Sequence, residues 1–393
     1  MPGFHTATVM VRVGGGMAAE PADLQGLAYV LEQTVDKGVT GRDARQLADA
    51  FDACGIRHAV YTGRQSWVLI GSCLPEFLPR AIELLGEVVR EPVFPDDAVA
   101  TAVNLAQQEL SSIEDAPRAL LRRQMARQAY GDVLGRHILG SEETLALIDA
   151  EAVRRSWSEI CGRRGLTVAV AGNYDGDAVR DTLEAVLAPL PEGREQPREL
   201  PHTFSATRTH IDKPFDQVQI GLSFAGAPYY GDDFVTEKVI LAVLSGGMSS
   251  RLFTEVREKQ GLVYWVGAWH EQPRGLGMIH IGGATNPKRC QQTFDTILRE
   301  VGRLEEDLTE EELERAKTGL LSDSKTGGAS VQRRANELLT DHFHLQRTIP
   351  QSDKIAAVRA VTRADVCGYL DRHPRDEITV VTVGQQAALN VGR

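Results

Sequence analysis

The sequence predicts an α+β fold built twice, each half a mostly antiparallel sheet covered by helices. Three observations predict it. At 393 residues the chain exceeds what one ordinary core supports, so two domains of similar size are expected. Runs of strand composition are separated by long segments with apolar residues at helical spacing. Three segments then recur in the same order at a spacing of about 212–213 residues.

Residues 7–13 (ATVMVRV) and 66–71 (SWVLIG) read as strands, as do 217–223 (QVQIGLS) and 277–282 (GMIHIG) in the second half. Helices are expected at 43–54, 78–90, 97–114 and 310–324, where apolar residues return every three or four positions. The three repeats fit this scheme. Residues 26–31 (GLAYVL) match 239–244 (VILAVL), an apolar helix in each half. Residues 148–153 (IDAEAV) match 361–366 (VTRADV), a helix start with an Asp or Thr cap. Residues 167–172 (TVAVAG) match 379–384 (TVVTVG), a β-branched run closed by glycine. Between the halves, residues 187–210 carry Pro189, Pro191, Pro197 and Pro201 among charged residues, the composition of a linker. The expected division is a first domain over 1–190, a linker over 191–209 and a second domain over 210–393.

A formal net charge of −11 argues against nucleic acid as the main partner. The five cysteines (Cys54, Cys73, Cys161, Cys290 and Cys367) are odd in number and scattered, with no C-x-x-C pair. Free thiols in a reducing, cytoplasmic setting are expected. No apolar run approaches the ~20 residues of a membrane-spanning helix, and the first residues lack the basic and apolar regions of a signal peptide. No membrane partner is expected, and the expected location is cytoplasmic, or periplasmic or secreted if a signal segment was removed.

The chemistry concentrates at Tyr29-Val30-Leu31-Glu32-Gln33, on an expected helix. Positions i and i+4 share one helix face, where two His residues can bind zinc while an intervening Glu activates the metal-bound water. Here those positions hold Tyr29 and Gln33, and Glu32 stays. Tyr is a rare zinc ligand and Gln a poor one, so no metal is expected in this chain. Other candidates carry less. His342 and His344, beside Asp341, sit at i and i+2 and point to different helix faces. His270 and Glu271 read as a strand-surface pair. Gly246-Gly247-Met248 lacks the Lys-Ser/Thr of a phosphate loop and reads as a turn into a helix.

These residues give the chain a specific resemblance. It resembles the M16 metallopeptidases, the pitrilysin or insulinase family, in the compact branch related to mitochondrial processing peptidase. The family's G-L-A-H-x-L-E-H is similar to residues 26–33 (GLAYVLEQ). Residues 91–96 (EPVFPD) resemble its P-x-F-x-P turn, and 137–140 (HILG) a shortened form of its H-P-x-x-x-x-x-G segment. By resemblance the third zinc ligand falls on Glu109, while a second family Glu about two turns earlier is Ala102 here. Members also usually open with an additional N-G-hydrophobic strand, and this sequence begins just after that point. The best-preserved motif is 249–264 (SSRLFTEVREKQGLVY), very similar to S-S-R-L-x-x-x-x-R-x-x-x-x-L-x-Y.

The resemblance implies two duplicated M16-type domains. It also implies that Arg257 and Tyr264 reach a zinc site and hold substrate near the scissile bond. The residue types suit that role: Arg offers a forked pair of donors to a carbonyl, and a Tyr hydroxyl can stabilise a developing oxyanion. In isolation the pair would read as a structural salt bridge and a core Tyr. With Tyr29, Glu32, Gln33 and Glu109 forming only a degenerate zinc motif, no independent activity is expected. The implied protein is the non-catalytic subunit of a heterodimeric zinc peptidase. An H-x-x-E-H partner would carry the zinc, and a peptide would be the substrate. Two other roles are implied: a structural scaffold indifferent to Arg257 and Tyr264, and a leader-peptide-processing subunit in a modified-peptide pathway.

Overall fold

The computed structural model describes residues 3–193, 200, 202, 204–373, 375, 377–385 and 389. The first half of the chain carries β1 (Ala7–Gly14), α1 (Leu27–Thr34), the short strands β2 (Gly38–Val39) and β3 (Arg42–Asp43), and α2 (Ala44–Asp52). It continues with β4 (Arg57–Thr62), β5 (Ser66–Cys73), α3 (Leu78–Arg90), α4 (Asp96–Ile113) and α5 (Pro117–Leu134). It closes with α6 (Glu142–Leu145), α7 (Ala150–Ile160), β6 (Leu166–Gly172) and α8 (Gly176–Leu187). The second half carries β7 (Arg208–Asp212), β8 (Val218–Gly226), α9 (Phe234–Ser245), β9 (Val263–Glu271) and β10 (Gly277–Thr285). Then come α10 (Cys290–Gly302), α11 (Leu304–Asp307), α12 (Glu310–Gly328), α13 (Val331–Leu345), α14 (Gln351–Ala360), α15 (Arg363–Arg372) and β11 (Thr379–Gly384).

Local chemistry sets several boundaries. The Asp43 carboxylate accepts the Gln46 N–H, and the Gln46 side chain returns to the Asp43 N–H, a reciprocal cap that starts α2. Asp149 caps α7 through the Ala152 N–H, and Thr362 caps α15 in a reciprocal pair with Asp365. The matched segments 148–153 and 361–366 are thus equivalent capped helix starts.

The sheets display the duplication directly. The first sheet runs β4-β5-β1-β6, and the second runs β9-β10-β8-β11-β7. The first four strands of each occupy the same order, all antiparallel, with β6 and β11 in equivalent places. The second sheet adds β7, parallel to β11. Apart from the short strands β2 and β3, three strands were not anticipated: β4 (RHAVYT), β7 (RTHID) and β9 (VYWVGAWHE). All three lie at sheet edges, and in β4 and β7 water on one side permits charged and polar residues that blur the strand signal.

The chain condenses into two compact units. The first contains Met1–Ser112, Arg136–Arg198 and Gly327–Thr348; the second contains Ile113–Gly135, Glu199–Thr326 and Ile349–Arg393. A division at 190 and 210 therefore separates the sheets but not all the helices. In the second unit α5, from the first half of the chain, packs on β8 and β11. In the first unit α13, from the second half, packs on β1 and β6. Small residues permit the fit. Val331, Ala335 and Leu339 of α13 meet Met10, Ile70, Ala169 and Ala171 in one buried cluster. A Cβ at Gly221 on β8 would stand 2.2 Å from the Met125 sulfur of α5. Periodicity shows that a helix has an apolar face, but not which sheet it meets.

Candidate functional site

The first unit holds the degenerate motif. Gly26, at φ 102°, starts α1, and a Cβ there would press on Leu145 at 2.8 Å and the Leu139 carbonyl at 3.0 Å. This fixes how α1 enters the unit. Tyr29 is 7% exposed, and its hydroxyl donates to Glu109 Oε1 of α4 at 2.9 Å. Burial, then the Glu109 hydrogen bond and the charges of Glu109 and Glu32, push the Tyr29 hydroxyl up to about 12, so it stays protonated at neutral pH. Glu32 turns elsewhere: its Oε2 accepts the Thr62 N–H at 2.7 Å, and its Oε1 receives a long 3.5 Å contact from Gln33 Nε2. Thr62 Oγ1 and Trp67 Nε1 both donate to the Ala28 carbonyl at 3.1 Å. The helix is thereby tied to β4, β5 and α4 by hydrogen bonds.

This donor set does not fit zinc. The position of the first His holds a neutral phenol that spends its proton on Glu109, the position of the second holds an amide, and no imidazole is present. Among the described residues, no group of three or more His, Cys, Asp or Glu could hold a metal ion. The Tyr29–Glu109 hydrogen bond joins α1 to α4.

The entrance to α1 carries a buried acid that sequence reasoning missed. Glu20 is 5% exposed; its Oε1 accepts the N–H groups of Gly26 (3.1 Å) and Ala28 (2.7 Å), while its Oε2 has no hydrogen-bond partner. Burial raises its carboxyl to about 8, against the lowering effect of the two N–H groups and Arg136. The folded state therefore prefers the protonated acid. Its stabilising contribution is full below the ordinary value of 4.5 and is lost as pH rises through about 8. Urea unfolding between about pH 5 and pH 9 should show stability falling by on the order of a few kcal/mol, and Glu20→Gln should flatten that fall. An unchanged slope in the variant would mean that Glu20 is not the titrating group.

The second unit holds the preserved motif. After α9 the chain turns at Gly246-Gly247-Met248, as expected, with Gly247 at φ 157°. Arg251 is 7% exposed and anchors the segment after this turn: Nε and Nη2 grip the two Glu312 oxygens at 2.9 and 2.8 Å, and Nη1 donates to Asp307 at 2.6 Å. This forked latch to α12 and the end of α11 fixes the start of a wide π-helical turn at Phe253–Glu258. Arg251→Ala leaves Asp307 with Arg303 and Glu312 with the Thr309 N–H and hydroxyl, and should lower unfolding stability by about 2 kcal/mol, read from chemical denaturation.

Arg257 leaves that turn differently. Its guanidinium lies 4.7 Å from the Phe253 ring centroid and 5.2 Å from that of Tyr264. Its carboxylate neighbour is Glu258, at 3.9 Å. Tyr264, near the start of edge strand β9, is 78% exposed. A register shift helps present it: Val263 to Val266 face only Thr285 to Gly283 of β10, so β9 carries an additional residue at Tyr264-Trp265. Such a bulge re-aims side chains. Trp265 instead packs under Arg118 of α5, 4.1 Å from its ring centroid. The two residues singled out from the motif are thus brought together at the surface, with the guanidinium plane held by aromatic rings. Phe253 was missed, although its i−4 spacing to Arg257 was legible. Glu312 and Asp307 lay too far along the chain to be inferred.

One expectation is corrected. His270 is not a strand-surface residue: its Nε2 lies 2.7 Å from Oε1 of fully buried Glu237. Glu237 also accepts the Ala227 N–H at 2.7 Å and the Tyr369 hydroxyl. Glu271 accepts the Tyr130 hydroxyl of α5 at 3.2 Å. Both side chains serve internal polar contacts of the second unit.

Residues 2–142 match the family model described as Insulinase (Peptidase family M16), and residues 148–320 the one described as Peptidase M16 inactive domain. The chain belongs to the M16 peptidase family. An uncharacterized zinc protease of Rickettsia felis is 27% identical over 368 residues, 93% of this chain and 89% of that protein. A peptidase M16 inactive domain from Pseudomonas fluorescens has the same fold, with a TM-score of 0.90 at 22% identity, covering 99% of this chain and 95% of that one. A chain of Complex III2 from Candida albicans also shares it, with a TM-score of 0.83 at 16% identity and coverage of 98% and 92%. Within this M16 chain the five cysteines are free, and among the described residues no helix is long and apolar enough to cross a membrane.

Proposed function

We infer that this M16 chain is the non-catalytic subunit of a heterodimeric zinc peptidase, acting in the cytoplasm. The observation that carries the reading is the contrast between its two motifs. The zinc-motif side chains are engaged with protein groups, Tyr29 with Glu109 and Glu32 with Thr62. Arg257 and Tyr264 are held together, with Tyr264 78% exposed and the Arg257 side chain half-buried.

An H-x-x-E-H partner would hold the zinc, which would supply activation of the water for peptide hydrolysis. This chain's residues act on the substrate. Arg257 donates to a substrate carbonyl and fixes the extended peptide. The Tyr264 hydroxyl donates to the carbonyl oxygen as negative charge develops on it. Stacking of Arg257 on Phe253 and Tyr264 reduces the entropy lost when the fork engages. A scaffold role is the second reading, favoured by the Tyr29–Glu109 bond, which preserves the α1–α4 junction without a metal.

Co-expression with an H-x-x-E-H chain of similar length, followed by size exclusion and metal analysis, tests the proposal. One zinc per heterodimer, held by the partner, is expected. A zinc-free complex with a non-peptidase protein supports the scaffold instead.

A further inference from the structure

Two of the five cysteines approach each other in the first unit. α2 ends in a paired turn: the Gly55 N–H donates to the Asp52 carbonyl at 2.9 Å and the Ile56 N–H to the Phe51 carbonyl at 3.0 Å, with Gly55 at φ 60°. Cys54 is the last residue before this reversal and lies on the helix face of Phe51, one turn earlier. The chain then enters β4, whose Arg57 pairs with Ser72 and His58 with Gly71 of β5. Side chains alternate along a strand, so Cys73, at the end of β5, shares a sheet face with Gly71 and His58. α2 covers this face, for the rings of Phe51 and His58 stack with centroids 4.0 Å apart. From that stack, Phe51 to Cys54 and Gly71 to Cys73 both run toward the turn between α2 and β4, so the two thiols converge there. Burial, then the neighbouring Cys54 and Glu76, pushes the Cys73 thiol up to about 11. Cys73 is buried, whereas Cys54 is half-buried.

The other cysteines are placed differently. Cys161 donates to the Val89 carbonyl at 3.3 Å and Cys367 to the Glu305 carbonyl at 3.7 Å, while Cys290 is buried, with burial alone raising its thiol. We propose that Cys54 and Cys73 are a thiol modification site, forming a reversible disulfide by exchange with a small aliphatic disulfide. Cys54 acts first. A Cβ added at Gly55 would meet nothing within 4 Å, so open space adjoins Cys54. The Cys54 thiolate attacks one sulfur of the small disulfide and expels a small thiolate, leaving a mixed disulfide on Cys54. Cys73 then loses its proton to solvent and attacks the Cys54 sulfur, expelling the second small thiolate. Two protein thiols are oxidised to one disulfide, and the small disulfide is reduced to two thiols as the leaving thiolates take up the two protons. The bond pins the end of α2 to β5 and restricts the unfolded chain between residues 54 and 73. This site is independent of Arg257 and Tyr264 and of the heterodimer assignment.

The test incubates the full, folded chain with oxidised glutathione, blocks the remaining thiols with iodoacetamide and digests with trypsin. Cys54 and Cys73 fall in separate peptides, 46–57 and 65–80, so a disulfide between them joins the two. The joined peptides are expected as the main oxidised product, two hydrogens lighter than the sum of their parts and separated again by dithiothreitol. Cys73→Ala is expected to stop at a glutathione adduct on Cys54, and Cys54→Ser to lose both the adduct and the cross-link. Cys54 is half-buried, so its variant and the parent chain keep the test decisive should Cys73→Ala misfold. Absence of the joined peptides, pairing with Cys161, Cys290 or Cys367 at comparable yield, or a cross-link formed only in urea overturns the proposal. So does a glutathione adduct on Cys54 that persists in the parent chain, which would show that Cys73 does not reach it.

Discussion

Tyr29→His combined with Gln33→His is expected to give this chain a zinc affinity it now lacks, with Kd of about micromolar or tighter. The two imidazoles would stand at i and i+4 on α1, and Glu109 already lies within reach of position 29, 2.9 Å from the Tyr29 hydroxyl. Removing the phenol frees that carboxylate. Neither single substitution should suffice, because each leaves two good ligands at most. Isothermal titration and metal analysis after dialysis measure the gain, with circular dichroism confirming the fold. A folded double variant that takes up no more zinc than the parent would mean that α1 and α4 do not preserve the geometry of a metal site. The reading of Tyr29 as a substitute for the metal link would then be lost.

The second large effect belongs to the other unit. In the pair reconstituted with an H-x-x-E-H partner, Arg257→Ala is expected to lower kcat/KM by about 10²-fold, the usual scale for losing a donor to a developing oxyanion or a forked substrate clamp. Tyr264→Phe removes only a hydroxyl and should act mainly on kcat. Arg257→Ala should act on both kcat and KM if it also holds the bound peptide. The side chains are exposed or half-exposed, so neither change should disturb folding or assembly. Loss of the complex on size exclusion would reassign the pair to subunit docking. Full activity in both variants would remove them from the site.

Most of the sheet was legible in the sequence, because strands buried on both faces show as apolar, β-branched runs. β1, β8 and β10 belong to this class, and β5 is close to it, with Ser66, Val68 and Ser72 half-buried. The repeats located β6 and β11, and the topology then showed them at equivalent positions. The edge strands β4 and β7 were hidden by the polar residues that protect edges, whereas β9, rich in aromatic and β-branched residues, carried a strand signal that was missed. The exchange of α5 and α13 was hidden for a different reason: a helical repeat reports its own apolar face but not the identity of its partner sheet.

The site was legible in part. The resemblance singled out Arg257 and Tyr264 as a pair, and the structure adds Phe253 under the guanidinium and the bulge that turns Tyr264 outward. The changes at Tyr29 and Gln33 were visible as lost ligands. What they gained was not. The phenol–carboxylate bond to Glu109 spans 80 positions, and the turning of Glu32 to the Thr62 N–H spans 30. Glu20 gave no local signal, because only the fold makes it buried.

The central claim is a division of labour, with substrate-holding groups on this chain and the metal on another. Its most direct measurement is peptide hydrolysis by this chain alone, by the H-x-x-E-H partner alone, and by the two mixed, read by mass spectrometry on a mixed peptide substrate. The account predicts background hydrolysis from each chain alone and strong, chelator-sensitive hydrolysis from the mixture. Comparable hydrolysis by the partner alone, or metal-dependent hydrolysis by this chain alone, would contradict it.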